Sequence, residues 1–157
     1  IGGNAKFIYI CNTTTSLISV IKHCKKKNIK FKVIGLGANL LFSDKGYDGA
    51  IIVNRTNQVC FRKNNVYADS GVNVTNLIKK CYMRSLSGLE NLSGIPATVG
   101  GAVVNNLGAF NTSFDEFVDY VKVIDINNPD KIIKLNKNIL NINKNIPIKT
   151  YPIGDKK

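Results

Sequence analysis

From Leu89 to Phe110 the chain runs Leu89-Glu90-Asn91-Leu92-Ser93-Gly94-Ile95-Pro96-Ala97-Thr98-Val99-Gly100-Gly101-Ala102-Val103-Val104-Asn105-Asn106-Leu107-Gly108-Ala109-Phe110. Its side chains are too small to fill much core, and its glycines lose a great deal of conformational freedom when they are ordered. Such a segment makes physical sense where the backbone itself is the binding surface. Its N–H groups, with the hydroxyls of Ser93 and Thr98, suit phosphates or a carbonyl-rich ring system. Pro96 presets a turn. A short helix starting at Thr98 would turn a positive N-terminus toward an anion. Close helix packing is the plainer use of small residues. The length of the run and its Ser93-Gly94-Ile95-Pro96 opening argue against that use.

A second glycine loop, Gly35-Leu36-Gly37-Ala38-Asn39-Leu40-Leu41, follows an expected strand. Glycines there let backbone N–H groups wrap an anion. Taken alone the signal is weak. The loop is not GxGxxG, and the apolar residues after it do not open a helix as a dinucleotide-binding loop should. Unsupported, it would read as a tight connection between strands.

The rest of the chain divides in two. Lys6-Phe7-Ile8-Tyr9-Ile10-Cys11 reads as a strand. Thr13 to Thr15 offer a helix cap, and Leu17, Ile18, Ile21 and Cys24 recur at helical spacing up to Lys27. Asn28 suits a left-handed stop. Phe31 to Ile34 is a second strand, so the opening is strand, helix, strand, the start of a parallel layer. Asp44 to Gly49 reads as a turn and Ala50 to Val53 as a third strand. Beyond residue 54 the pattern changes. Gln58–Arg62 and Val66–Asp69 form an expected hairpin across Lys63-Asn64-Asn65. Val74 to Arg84 carries Leu77, Ile78 and Cys81 on one helical face. Tyr120–Ile126 and Lys131–Leu135 read as a second hairpin. The expected division is a first lobe over residues 1–54, a second over 55–135, and a divergent Asn/Lys/Ile-rich tail over 136–157.

The formal charge of +12 invites a nucleic-acid reading. The excess is nearly all Lys: 19 Lys stand against 3 Arg, beside 21 Asn and 20 Ile. That is a drift in composition, whereas nucleic-acid sites favour Arg and stacking aromatics. Arg55, Arg62 and Arg84 are scattered and Trp is absent, so no nucleic-acid partner is expected. Lys25-Lys26-Lys27 ends a helix, where cations suit the dipole. Cys11, Cys24, Cys60 and Cys81 lie in apolar patterns without metal spacing. They read as buried free thiols of a reducing compartment, the cytoplasm, with no metal site. The lone His23 reads as structural. No run is long and apolar enough to span a membrane. Ile1-Gly2-Gly3 is not a translation start, so a longer chain is expected.

Five blocks occur in order: Ile1-Gly2-Gly3, Gly35 to Leu41, Ser87-Gly88-Leu89-Glu90, Ser93 to Ala102, and Asn106 to Phe110. Together they resemble the FAD-binding part of the UDP-N-acetylenolpyruvoylglucosamine reductase family, over nearly the whole chain to about Leu135. The resemblance implies an α+β, two-lobed FAD-binding fold of the vanillyl-alcohol-oxidase type: a small parallel βαβ lobe and an antiparallel α+β lobe with FAD between them. It implies that Gly35, Gly37, Ala38, Asn39 and Leu40 line the pyrophosphate. Ser93, Gly94, Ile95, Pro96, Thr98, Val99, Gly100, Gly101 and Ala102 would wrap the pyrophosphate and the flavin edge. Asn106, Gly108, Ala109 and Phe110 would continue that wall, and Gly71 would lie close to the cofactor. NADPH would be the hydride donor and an enolpyruvyl UDP-sugar the acceptor, in a step of peptidoglycan synthesis.

Departures from the family pattern are specific. Leu36 and Ala38 stand where the family loop has a Gly and a Ser, and Ala97 replaces a Gly. The family's Met-Asn-Ala-Gly-Ala-Tyr is here Asn105-Asn106-Leu107-Gly108-Ala109-Phe110. The Tyr-Arg pair that helps polarise the substrate finds no counterpart between Asn136 and Lys157. The substrate domain, with its catalytic Ser and Glu, is expected to lie outside this chain, and no catalytic residue is assigned. Ser113, Asp115 and Glu116 read as a helix start. The alternative function is a truncated or degenerate flavin-binding module without reductase activity.

Overall fold

Leu17, Ile21 and Cys24, spaced to share one helical face, bury themselves against the first sheet. They belong to α1 (Thr14–Lys26), whose N-cap Thr13 and Ser16 form a reciprocal capping box. Asn28 closes the helix at φ +53, as the sequence suggests. The sheet under α1 contains β1 (Ala5–Cys11), β2 (Phe31–Ile34) and β3 (Tyr47–Asn54). This computed structural model describes residues 2–137. Most of the expected divergent tail therefore lies outside the described residues.

All three strands are parallel, in the order β1-β3-β2. The helix thus joins the two edge strands, and the third strand enters between them. Cys11, Ala50 and Ile52 form the core beneath α1. The expected turn ending at Gly49 is shorter than predicted, because the strand already begins at Tyr47. Gly49 is a strand residue with the Lys30 carbonyl packed against it, a close backbone approach that only glycine permits.

The second half builds outward from one helix. β4 (Val59–Arg62) and β5 (Asn65–Ala68) make the first hairpin, with Lys63 at φ +52 in its turn. α2 (Val74–Tyr82) lays Leu77 and Cys81 against that hairpin. Its Val74 and Ile78 join Leu92, Phe114 and Ala102 of α3 (Val99–Asn105) in a separate core. β6 (Gly108–Ala109) and β7 (Thr112–Ser113) form a small hairpin beside it.

The last hairpin, β8 (Tyr120–Ile124) with β9 (Ile132–Asn136), reaches back to the first half. Ile124 packs against the core under α1. Lys22 pairs with Asp130 at 2.5 Å, and Lys25 Nζ donates to the Ile126 carbonyl at 2.6 Å. The same hairpin keeps Tyr120 beside Tyr67 of β5, their ring centroids 6.4 Å apart.

Candidate functional site

The two glycine-bearing segments meet. Gly35, just past β2, packs on Thr98, the N-cap residue of α3. A Cβ built on Gly35 would overlap the Thr98 hydroxyl and lie 2.8 Å from its Cγ2. Thr98 is itself buried, pairs with Asn73 in an isolated antiparallel bridge, and accepts a hydrogen bond from Gly101 N–H at 3.2 Å. The contact explains why residue 35 has no side chain: the loop after β2 can reach the α3 cap only without one.

Beyond this contact the first loop opens outward. Leu40 N–H donates to the Gly37 carbonyl at 3.1 Å and closes a turn. Gly37 sits at φ +74, and a Cβ there would meet nothing within 4 Å. The N–H groups of Leu36, Ala38 and Asn39 find no acceptor among the described residues. Successive N–H groups of this kind form a concavity suited to an anion. Leu36, Leu40 and Leu41 are exposed apolar side chains flanking it. Gly94, in the second segment, is similarly open at φ +86.

The start of α3 differs from the sequence expectation of free donors. Val99 N–H is bound to the Val72 carbonyl and Gly100 N–H to the Ser70 carbonyl, both at 2.8 Å. Gly101 N–H is held by Thr98 Oγ1, and Ala102 N–H by the Thr98 carbonyl at 2.8 Å. The helix forms as expected after Thr98, but it spends its first donors inside the chain. Between Ser93 and Ala102 this leaves the N–H groups of Gly94 and Ile95, ahead of Pro96, and of Ala97 and Thr98, after it, without an acceptor among the described residues.

The remaining expected residues lie on two sides of this contact. Gly71 is pressed against the backbone of Thr56 and donates to its hydroxyl at 3.2 Å. Asn106, at φ +44, is buried and ends α3, and its Oδ1 accepts from Asp115 N–H at 3.0 Å. Asn106 Nδ2 is buried without a partner among the described residues. Gly108 and Ala109 lie in β6, and Phe110 and Asn111, at φ +49 and +58, make the hairpin tip. Phe110 is 84% exposed there, an unusual place and backbone conformation for an aromatic residue. Ser113 and Glu116 form a capping box at a short 3-10 turn, with Ser113 Oγ 2.7 Å from Glu116 Oε1, in agreement with the helix start read from the sequence.

Burial pushes the thiols of Cys11, Cys24 and Cys81 up. Cys60 is exposed on β4, contrary to the expectation that all four cysteines are buried, because its side of the hairpin faces away from α2. His23 lies edge-on to Tyr9, ring centroids 6.3 Å apart. Among the described residues no group of three or more His, Cys, Asp or Glu is placed to hold a metal, and no helix is long and apolar enough to cross a membrane. Sequence reasoning missed Asn54, Thr56 and Ser70, polar residues that join the two halves directly behind the site.

Comparisons with known proteins give the family and the fold. The model of the FAD binding domain family matches residues 5–130. The chain is 37% identical over 138 residues to a UDP-N-acetylenolpyruvoylglucosamine reductase of Buchnera aphidicola, covering 85% of this chain and 41% of that protein. It is 36% identical over 143 residues to the enzyme of that name from Clostridium novyi, covering 90% and 46%. Among solved structures, the UDP-N-acetylenolpyruvylglucosamine reductase of Thermus caldophilus superposes with a TM-score of 0.67 at 24% identity, over 83% of this chain and 46% of that one. A glucooligosaccharide oxidase from Acremonium strictum superposes at 0.69 with 13% identity, over 87% and 30%. The fold is the two-lobed, mixed α and β, FAD-binding fold of the vanillyl-alcohol-oxidase type. The chain spans less than half the length of the curated relatives it matches.

Proposed function

The chain belongs to the FAD binding domain family, and from that premise we propose that it holds FAD where the Gly35 loop meets Thr98. It does so as the flavin-holding part of a UDP-N-acetylenolpyruvoylglucosamine reductase. The observation that carries the reading is the Gly35–Thr98 contact with unpaired N–H groups beside it. Leu36, Ala38 and Asn39 donate to the pyrophosphate, and Gly37 keeps that approach open. Gly94 and Ile95 donate from the other side. Thr98, Val99, Gly100, Gly101 and Ala102 form the wall that faces the cofactor, held rigid by their own internal bonds. Ser93 and Pro96 set the entry to that wall, and Asn106, Gly108, Ala109 and Phe110 continue it. The net charge of +12 adds a general attraction for a polyanionic ligand.

When bound, FAD supplies hydride transfer from NADPH to the enolpyruvyl double bond of a UDP-sugar, a step of peptidoglycan synthesis. The residues described here bind and orient; none of them is assigned the proton donor for that step. The buried free thiols suit a reducing compartment, and the cytoplasm is the proposed location. A flavin-binding module without reductase activity is the second reading, favoured by Leu36 and Ala38, which stand where the family loop has a Gly and a Ser.

The test is titration of the apoprotein with FAD and with FMN, followed by flavin fluorescence. Two donor loops suit a pyrophosphate better than a monophosphate, so FAD binds more tightly than FMN. A folded protein that ignores FAD would sink the reading.

A further inference from the structure

Asn54 is the last residue of β3 and is 6% exposed. A buried carboxamide must find partners, and this one finds them on both of its atoms. Nδ2 donates to Ser70 Oγ at 2.7 Å, and Oδ1 accepts from Thr56 N–H at 3.1 Å. Thr56, 2% exposed, then accepts from Gly71 N–H at 3.2 Å. Ser70 passes the connection on, its carbonyl accepting from Gly100 N–H at 2.8 Å. Gly100 is packed so closely on Ser70 that a Cβ there would lie 2.9 Å from Ser70 Cβ. The neighbouring Val72 and Val74 bind Val99 and Ala97 in turn.

We propose that Asn54 is a positioning residue for the FAD crevice, acting through Ser70 and Gly100. It ties the sheet that carries the Gly35 loop to the segment that carries Thr98, and so fixes the separation of the two donor sets. Asn54 itself does not touch the cofactor. The proposal rests on the FAD reading above, and it adds that affinity depends on a buried polar bridge outside the glycine segments. Loss of the bridge lets the α3 cap shift relative to the loop, and preorganised donors lose their fixed spacing.

The experiment compares the wild-type chain with Asn54→Ala, Ser70→Ala and the double variant, measuring FAD Kd, unfolding midpoint and the visible circular dichroism of bound flavin. Thr13→Ala, in the remote cap of α1, serves as a control that lowers stability without touching the bridge. Each bridge variant weakens FAD by about tenfold, as the loss of a buried hydrogen bond implies. The double variant is no weaker than Asn54→Ala, because the residues act as one unit. The flavin dichroism changes with them, and Thr13→Ala leaves Kd and dichroism unchanged. Where Asn54→Ala does not fold, Ser70→Ala alone decides. Folded bridge variants with wild-type Kd and dichroism overturn the proposal while the FAD reading stands. So do additive losses, or a loss of affinity in Thr13→Ala equal to that in Ser70→Ala. A wild-type chain that binds no FAD overturns the functional reading first, and this inference with it.

Discussion

Gly35 packs on Thr98 with no room for a side chain between them. One residue follows the strand that leads into the first glycine loop, and the other caps the helix in the second. Everything proposed about the crevice depends on that meeting.

The contact separates two glycines of the same loop. Gly35→Ala forces a methyl group into the Thr98 side chain and costs about 1–3 kcal/mol of stability, as overpacking does. Gly37→Ala faces open space and meets only the strain of a positive φ, about 1–2 kcal/mol. Both weaken FAD binding, and Gly35→Ala lowers the unfolding midpoint of the apoprotein further. Thermal unfolding and FAD titration of the two variants check the order.

Gly100→Val tests the wall from behind. Its Cβ would lie 2.9 Å from Ser70 Cβ and 3.0 Å from the Ser70 carbonyl oxygen. The start of α3 must move away, and FAD affinity falls by at least about tenfold, equivalent to ~1.4 kcal/mol. Wild-type affinity in this variant would show that the helix start is not part of the crevice.

Local chemistry in this sequence was legible. Thr13 capped its helix, Asn28 ended it, and Thr98 opened a short one, because each choice rests on residues within a few positions. The Tyr120 hairpin was also visible as alternating apolar residues across a turn. What escaped depends on partners far along the chain. Gly49 looked like turn material until Lys30 packed against it. The donors of Val99 and Gly100 looked free until Val72 and Ser70 took them. Asn54 and Ser70 are 16 residues apart, a spacing with no periodic meaning. The return of Ile124 to the first core likewise leaves no mark in local pattern.

The thiols give a probe of the fold. In the native protein Cys60 reacts with a thiol reagent first, while Cys11, Cys24 and Cys81 react only on unfolding. Burial raises the folded-state values of those three, so their contribution to stability is fully present while the unfolded thiols stay protonated. It is lost as pH rises from the ordinary thiol value of about 8.5 through the raised folded values. Denaturant midpoints measured across that range fall with rising pH. A flat profile would contradict the burial of these thiols.

Assayed as these 157 residues alone, the chain is expected to form product from the enolpyruvyl UDP-sugar at less than an enzymatic rate. The Ser113–Glu116 pair is used in a capping box, and no other described residue is assigned as the acid. A placed general acid is worth about 10²–10⁴-fold. The assay follows product formation with NADPH, since NADPH loss alone also reports reaction with dioxygen. Rapid product formation would place the acid within these residues.

The most direct measurement is at the backbone amides themselves. Two-dimensional NMR of the labelled chain, titrated with FAD, reads each N–H separately. The account predicts the largest shifts at Leu36, Gly37, Ala38 and Asn39, with Gly94 and Ile95 following. Val99, Gly100 and Gly101, already bonded inside the chain, shift less. Saturable FAD binding with unchanged amides from Leu36 to Asn39 would contradict it.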